Sequence, residues 1–232
     1  MVAEPDRLNS SFFLESTTQS EIVEIVNSLC LINTAAGHDK IPMWSVKESI
    51  NYISELLTYV LNLSINSVIV HAQMKLVRVV PLYKSGDKRL LSNYRPVLVL
   101  AVFSKFLEKA VYNRLIRFFD KYEILYNNQY GFGKKSSTSL ALLYLHDKIT
   151  SATDERKHTV GIFLDLSKAF DTVNHRILLD KLEHFGIRGL ALEWIKCCLY
   201  NRHHYVEFNG ISCSFHEISC GLPQGSALGP LF

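Results

Sequence analysis

The residue that is best placed to take part in chemistry is Asp165, which directly follows an apolar run over residues 160–164. The run predicts a strand over residues 159–166 that is buried on both faces. A carboxylate at the end of such a strand is costly to desolvate without a cation or several hydrogen-bond donors. One interpretation is a turn or capping Asp that stays in water. The other is a ligand for Mg²⁺, which is bound through one or two carboxylates plus substrate phosphates and keeps several waters.

Positive charge is concentrated in one segment of the chain. Residues 75–95 contain six basic residues and one acid, a local charge of +5 against +3 for the whole chain. The basic residues are Lys75, Arg78, Lys84, Lys88, Arg89 and Arg95. Because they surround an apolar run and a Gly turn, a site for polyphosphate or nucleic acid competes with the interpretation of a solvated charged face.

Other motifs associated with catalysis are incomplete. Residues 131–136 end like a phosphate-binding loop, but Asn128 stands where the first Gly is needed and Lys135 where a hydroxyl residue is needed. Ser226 directly follows Gly225, so the spacing of a nucleophile elbow is missing. The nine His contain no H-E-x-x-H, and the five Cys contain no C-x-x-C, so the sequence indicates neither a zinc site nor a disulfide framework.

Periodicity and turn signals predict the elements that must position these residues. Thr18 and Glu21 have the spacing of a capping box, and Asn209-Gly210 is typical of a tight β-hairpin. Two strands are expected over residues 76–83 and 97–102. Helices are expected at about residues 19–30, 50–62, 106–118, 138–145, 177–185 and 192–199. This mixture predicts an α+β fold.

Length and composition restrict the class of protein. The chain has 232 residues, of which 48% are hydrophobic and 20% are charged, with 11 Gly and 6 Pro. These values exclude collagen-like, coiled-coil and disordered chains and are typical of one or two globular domains. The longest uncharged stretch, residues 56–74, is interrupted by seven polar residues, so no membrane association is expected. No signal peptide is recognised, and we expect an intracellular protein, cytoplasmic or nuclear.

Six sequence blocks occur in a characteristic order. They are VPLYKSGD at 80–87, NYRPV at 93–97, SKFLEK at 104–109, QYGF at 129–132, LDLSKAFD at 164–171 and GLPQGSALGP at 221–230. In order and spacing they closely resemble the reverse transcriptases of non-LTR retrotransposons of the LINE and jockey type, over about two thirds of the chain. Residues 36–42 also resemble the family segment that precedes the polymerase fingers, although His38 stands where Pro is usual.

The resemblance implies the architecture of a right-hand polymerase. Residues 1–70 would form a helical extension that leads into the fingers, residues 71–158 the fingers and residues 159–232 a partial palm. The reverse transcriptase domain would cover about residues 75–232 and be incomplete, with the thumb absent.

The resemblance also assigns roles in the palm. Asp165 is similar to the first catalytic carboxylate, which binds both Mg²⁺ ions of a two-metal phosphoryl transfer. Phe170 corresponds to the residue that excludes a ribose 2′-hydroxyl and so selects deoxynucleotides. The backbone at Lys168 and Ala169 would face the triphosphate.

Two further pairs of residues are implied to bind the substrate. Lys84 and Arg95 resemble the fingers residues that hold the β- and γ-phosphates of a deoxynucleoside triphosphate. Gln224 and Gly225 lie in the turn that supports the incoming nucleotide and the template base. The implied partners are an RNA template, a DNA primer, deoxynucleoside triphosphates and the remainder of a retroelement polyprotein.

The sequence departs from the family at several positions. Gly133 replaces a usual Arg, and Leu98 replaces a usual small hydroxyl residue. More importantly, the paired-Asp strand of the palm is missing, because no two Asp are adjacent in the chain. Each missing carboxylate removes an attraction of about 4 kcal/mol for unit charges ~4 Å apart at an effective dielectric constant of 20. We therefore predict a reverse transcriptase fragment that is inactive alone and has an unpaired, aggregation-prone sheet edge.

Two other classes of function remain open. A non-catalytic nucleic-acid-binding remnant would keep the basic fingers without the chemistry, and its binding would depend steeply on salt. A decayed gene product would have no selected role. The genomic sequence just after the codon for Phe232 would distinguish these alternatives from a polymerase, through the presence or absence of a coding segment for the paired aspartates.

Overall fold

The computed structural model describes residues 7–29, 35–126, 128–133, 136–166, 168–223 and 225–232. Within these ranges the chain forms six α-helices and five β-strands. The helices are α1 (Gln19–Ser28), α2 (Met43–Ser67), α3 (Val102–Lys121), α4 (Thr138–Asp154), α5 (His175–His184) and α6 (Leu190–Leu199). The strands are β1 (Leu76–Tyr83), β2 (Tyr94–Leu100), β3 (Arg202–Phe208), β4 (Ile211–Ser212) and β5 (His216–Ile218). The predicted mixed α and β class is confirmed.

The helix ends follow local capping chemistry. The Thr18 hydroxyl accepts the backbone N–H of Glu21 at 3.2 Å, so the predicted start of α1 is confirmed. The Ser137 hydroxyl accepts the N–H of Leu140 at the start of α4. Helix α2 begins at Met43, earlier than the periodicity predicts, and continues to Ser67. Its first turn is stabilised because Met43 is buried in the core.

The sheet has the strand order β2-β1-β3-β4, and β5 also pairs with β3. Strands β1 and β2 form an antiparallel hairpin, whereas β1 and β3 are parallel. Strand β3 pairs antiparallel with both β4 and β5. The predicted hairpin at Asn209-Gly210 is confirmed, with φ angles of 50° and 81° at the two turn residues. Residues far apart in the sequence therefore meet beside the basic segment.

The main hydrophobic core lies among α1, α2, α3, α5 and α6, and Trp194 and Phe106 are fully buried in it. The segment before α1 lies across this core, since the Phe12 N–H donates to the Gly186 carbonyl at 2.8 Å. Arg114 on α3 binds both carboxylate oxygens of Glu21, at 2.7 and 2.8 Å. The N-terminal segment and the helical core thus form one packed unit.

The predicted buried strand over residues 159–166 is wrong. These residues are not part of a strand, and Ile162, Phe163 and Leu164 are 82–88% exposed. No strand of the described residues pairs with the segment, so its backbone N–H and C=O groups have no sheet partner. Helix α4, which precedes it, has no buried residue.

Among the described helices, none combines the length and the apolar composition that crossing a membrane requires.

Candidate functional site

The basic residues Lys84 and Arg95 lie at the end of the β1–β2 hairpin where the loop connects the two strands. The Lys84 N–H donates to the Asn93 carbonyl at 2.9 Å, and Arg95 lies opposite Leu82 in the register. Opposite residues of an antiparallel pair share a face, as do residues two apart in one strand, so both basic residues belong to one face of the hairpin. Both are exposed. The hairpin therefore presents an ammonium and a guanidinium to solvent beside its connecting loop.

Aromatic residues hold the loop at the end of this hairpin. The rings of Tyr83 and Tyr94 meet edge to face, with centroids 5.6 Å apart. The Tyr83 hydroxyl donates to the Gly86 carbonyl, and the Tyr94 hydroxyl donates to the Lys88 carbonyl at 2.9 Å. These contacts fix the loop that connects the two strands.

Residues 168–172 form a tight turn. Lys168 adopts a left-handed conformation with φ 55°, and its carbonyl accepts the N–H of Asp171 at 2.9 Å. Lys168 and Ala169 are exposed, whereas Phe170 is partly buried. The ring of Phe132 meets that of Phe170 edge to face at 6.1 Å.

This turn is joined to the segment that begins at Gly221. The Leu222 N–H donates to the Phe170 carbonyl at 2.7 Å, and the Gly221 N–H donates to the Val173 carbonyl at 2.9 Å. Gly221 has φ 85°, and a Cβ there would lie 2.8 Å from the Asp171 carbonyl oxygen. The buried ring of His175 makes a hydrogen bond of 2.7 Å to the Gly221 carbonyl. Two sequence blocks about 50 residues apart are therefore in direct backbone contact.

The turn at Gly225 lies against strand β2. Gly225 has φ 96°, and a Cβ built there would approach the Leu98 carbonyl oxygen to 3.3 Å. Leu98 is three residues from Arg95, or roughly 10 Å along the strand. The Ser226 hydroxyl accepts the N–H groups of Leu228 and Gly229, both at 3.1 Å. The turn thus lies between the 168–172 turn and the basic hairpin.

Glu108 and Arg202 support this turn, and the sequence reasoning missed both. Glu108 Oε2 accepts the Ala227 N–H at 3.1 Å, and Glu108 Oε1 lies 2.9 Å from Arg202 Nη2. The two residues are 2% and 4% exposed. A signal was present in the sequence, because Glu108 stands on the apolar face of a helical pattern between Leu107 and Val111. A charge at such a position predicts a buried partner.

Asp165 stands apart from these contacts. It is exposed, and within the described residues no hydrogen bond or ion pair reaches it. The described part of the chain also contains no group of three or more His, Cys, Asp or Glu side chains placed to hold a metal ion. The described residues therefore do not fit a two-metal site, for which Asp165 would be a single carboxylate. The remaining predicted residue, Gln224, lies outside the described residues.

The structure thus brings most of the predicted site residues into one connected region. Backbone contacts lead from Phe170 through Leu222 to the Gly225 turn, and from there to strand β2 with Arg95. Lys84 lies on the same hairpin as Arg95. No described contact brings Asp165 to this region. Such an arrangement of exposed cations beside backbone turns can bind a polyphosphate.

Known proteins are similar to this chain over most of its length. Residues 83–232 match the model of the family "Reverse transcriptase (RNA-dependent DNA polymerase)". The chain is 29% identical over 206 residues to the "Probable RNA-directed DNA polymerase from transposon X-element" of Drosophila melanogaster, covering 86% of this chain and 22% of that protein. It is 27% identical over 218 residues to the "RNA-directed DNA polymerase from mobile element jockey" of the same organism, covering 94% of this chain and 24% of that protein.

A third relative is the "Probable RNA-directed DNA polymerase from transposon BS" of Drosophila melanogaster, which is 27% identical over 235 residues. The match covers 97% of this chain and 25% of that protein. The chain thus spans about a quarter of the length of these curated relatives. Because the family model matches well over half of its residues, the chain belongs to the reverse transcriptase family and is similar to the polymerases of jockey-type retrotransposons.

Proposed function

We propose that this chain is part of the RNA-directed DNA polymerase of a non-LTR retrotransposon. The observation that carries the proposal is the docking of the 168–172 turn on Gly221 and Leu222, which joins two of the family's sequence blocks. In this proposal residues 1–70 form a helical extension, residues 71–158 the fingers and residues 159–232 part of the palm. The protein acts inside the cell, in the cytoplasm or the nucleus.

The basic hairpin binds the triphosphate of an incoming deoxynucleotide. Arg95 provides a planar guanidinium that can make two parallel hydrogen bonds to phosphate oxygens, and Lys84 provides a compact ammonium. Their shared face and their exposure support this role. The backbone at Lys168 and Ala169 contacts the same phosphates.

The ring of Phe170 selects the sugar. The Phe170 backbone carbonyl accepts the Leu222 N–H, and the Phe170 ring packs against Phe132. A ring positioned by its backbone and by Phe132 leaves little room for a ribose 2′-hydroxyl, so deoxynucleotides are preferred. Gln224 and Gly225 support the nucleotide and the template base, with an RNA template and a DNA primer as the partners.

Asp165 contributes one carboxylate to a divalent metal site, for which Mg²⁺ is the cation in our proposal. A carboxylate is a suitable oxygen ligand for this ion. The other carboxylates that two metal ions require do not come from a pair of adjacent Asp in this chain. The chain by itself therefore has no polymerase activity, and the remainder of the retroelement polyprotein completes the enzyme.

Titration with a fluorescent deoxynucleoside triphosphate tests the binding role. We expect saturable binding that weakens about tenfold in Arg95→Ala and in Lys84→Ala, since each loses a charge-assisted phosphate contact. The matched control is Lys157→Ala, an exposed cation near the end of α4. Equal affinity in all three variants would contradict the assignment.

Primer extension with an RNA template, a DNA primer and Mg²⁺ tests the expected inactivity. We expect no incorporation by the purified chain. Incorporation that Asp165→Asn abolishes would show that the chain carries a complete catalytic site, and the proposed fragment would then be wrong.

A non-catalytic nucleic-acid-binding remnant is the second candidate function. It is favoured by the exposure of Asp165 and by the lack, within the described residues, of a group of three or more side chains placed to hold a metal ion. The two functions differ in the triphosphate titration, because a remnant binds RNA or DNA through phosphates but has no saturable site for a single nucleotide.

A further inference from the structure

Helix α2 carries apolar residues on two opposite faces. One face packs into the core through Ile50, Leu57 and Leu61, which are at most 6% exposed. The opposite face presents four large side chains to solvent, with exposures of 89%, 65%, 64% and 52%. These are Tyr52, Leu56, Tyr59 and Leu63, which we call the outer seam. A surface helix normally carries polar and charged residues on the face opposite the core.

The spacing of the outer seam fits a second helix. Its four residues are separated by four, three and four positions, the alternation that places side chains along one line of a coiled-coil interface. Such a line packs against another helix at a crossing angle of about 20°. The geometry therefore indicates a helical occupant.

The charge pattern allows α2 to pair with the α2 helix of a second copy of the chain. Glu55 is the only charged residue between Asn51 and Ser67. Exposed surfaces that avoid self-association normally carry interspersed charges, and α2 has almost none along this stretch.

The outer seam continues into an apolar groove at the C-terminal end of α2. The groove has a volume of about 960 Å³ and is lined by Val60, Leu63, Ile69, Met74 and Phe103, among others. Its polar rim includes His38 and Gln73, whose side chains lie 2.9 Å apart. The groove is large enough to take an aromatic side chain.

We propose that the outer seam and this groove form a two-fold interface between two copies of this chain, with the two α2 helices antiparallel. A two-fold axis near Tyr59 and Val60 places Leu56 opposite Leu63 of the second copy and Tyr52 beside the second copy's groove. With 1.5 Å of rise per residue, the two Glu55 residues are roughly 13 Å apart along the axis. That separation exceeds the ~8 Å screening length at physiological salt, so they do not oppose pairing.

The available area is sufficient for a dimer. The outer seam together with Val60 and Ile69 offers roughly 600–800 Å² per copy, at up to about 200 Å² for each large side chain. Standard interfaces bury about 800 Å² per partner. The interface therefore lies at the lower end of the range of stable dimers, and dissociation in the micromolar range is expected.

Sedimentation equilibrium of the full chain tests the proposal. Helix α4 also exposes apolar residues, so the test uses Leu142→Glu as the starting protein to suppress association through that surface. Leu142 and Leu56 are 66% and 65% exposed, which makes them a matched pair. We expect Leu142→Glu to be dimeric at about 50 µM. Adding Leu56→Glu should raise the dimer dissociation constant at least about 100-fold, because a carboxylate then opposes Leu63 on both sides of the interface.

A photo-crosslinking amino acid at Tyr52 tests the orientation. In a mixture of isotopically light and heavy chains, we expect light-to-heavy crosslinks from position 52 to residues 60–74, the residues near the groove. A Leu142→Glu protein that is already monomeric at about 50 µM would overturn the proposal. So would a dimer that persists in Leu56→Glu/Leu142→Glu, or crosslinks that join position 52 to other parts of the chain.

Discussion

Glu108 and Arg202 form an ion pair in the interior, with 2.9 Å between Arg202 Nη2 and Glu108 Oε1. The Arg202 side chain is 5% exposed and the Glu108 side chain 3% exposed. Each partner also binds backbone: Glu108 Oε2 accepts the Ala227 N–H, and Arg202 Nε donates to the Cys198 carbonyl. The pair thus connects α3, the end of α6 and the turn that follows Gly225.

Removing one member of this pair should be far more damaging than removing both. We expect Glu108→Leu to lower the free energy of unfolding by about 3–5 kcal/mol, because the guanidinium is left buried without a counter-charge. Glu108→Leu/Arg202→Met should recover most of that loss, since apolar side chains of similar volume replace the charges. Urea denaturation of both variants and of Arg202→Met alone measures the difference. A double variant as unstable as the sum of the single variants would contradict this account.

A side chain at position 221 should disrupt the contact between the two palm segments. Gly221→Ala places a methyl group 2.8 Å from the Asp171 carbonyl oxygen and also forces a positive φ of 85° on a residue with a Cβ. Gly210→Ala is the matched control, because Gly210 has φ 81° but no atom within 4 Å of the added Cβ. We expect a loss of about 1–2 kcal/mol for the control and at least about 2 kcal/mol more for Gly221→Ala. Thermal unfolding of both variants measures this, and equal losses would rule out the steric cause.

Stability should fall in mild acid because of His204. Desolvation lowers the pKa of His204, and the nearby His216 and His203 lower it further. The folded state therefore favours the neutral ring. The stability that His204 contributes is fully present above its ordinary pKa of about 6.5 and is lost as the pH falls below that value. We expect His204→Gln to flatten the dependence of the unfolding free energy between pH 7 and pH 5. His216→Gln should flatten it less, because desolvation is the largest cause; the reverse order would contradict this.

Nucleic-acid binding should depend on salt through the basic hairpin. Each phosphate contact by Lys or Arg contributes roughly 0.7–0.9 to the slope of log K against log salt concentration. We expect Lys84→Ala/Arg95→Ala to reduce that slope by about 1.4 for single-stranded RNA, since each of two contacts contributes ~0.7 on a single strand. Lys196→Ala is the control, since its ammonium lies 3.5 Å from Glu193 on α6. Fluorescence anisotropy from 50 to 200 mM KCl measures the slopes. An unchanged slope in the double variant would show that the hairpin is not part of the nucleic-acid-binding surface.

Local signals were sufficient to predict many elements. The Thr18 cap, the strand over 76–83 and the Asn209-Gly210 turn all follow from short-range chemistry, and the structure confirms each of them. The parallel pairing of β1 with β3 was not predictable in this way, because it joins residues more than 120 positions apart. Pairing between distant strands depends on the whole fold rather than on a local pattern.

The error over residues 159–166 has a different origin. An apolar run predicts burial only when other residues are available to cover it, and the described residues provide no strand beside Phe163. The same limit explains why Asp165 was predicted as a metal ligand but belongs to no group of three or more potential metal ligands among the described residues. The charge of residues 75–95 already indicated a phosphate site that includes Lys84 and Arg95. Their specific roles and that of Gly225 depended on the family resemblance, because exposed positions leave no periodic signal.

The segment before Asp165, which is exposed and outside every strand, also makes it possible to split the chain into two pieces. Residues on its two sides remain attached through other contacts, since β3 pairs with β1 and Trp194 packs among helices from the first half. A single proteolytic nick there would give two fragments that stay together under native conditions and separate only in denaturant. The halves could then be expressed separately and mixed, so that this fold could serve as a two-piece complementation system.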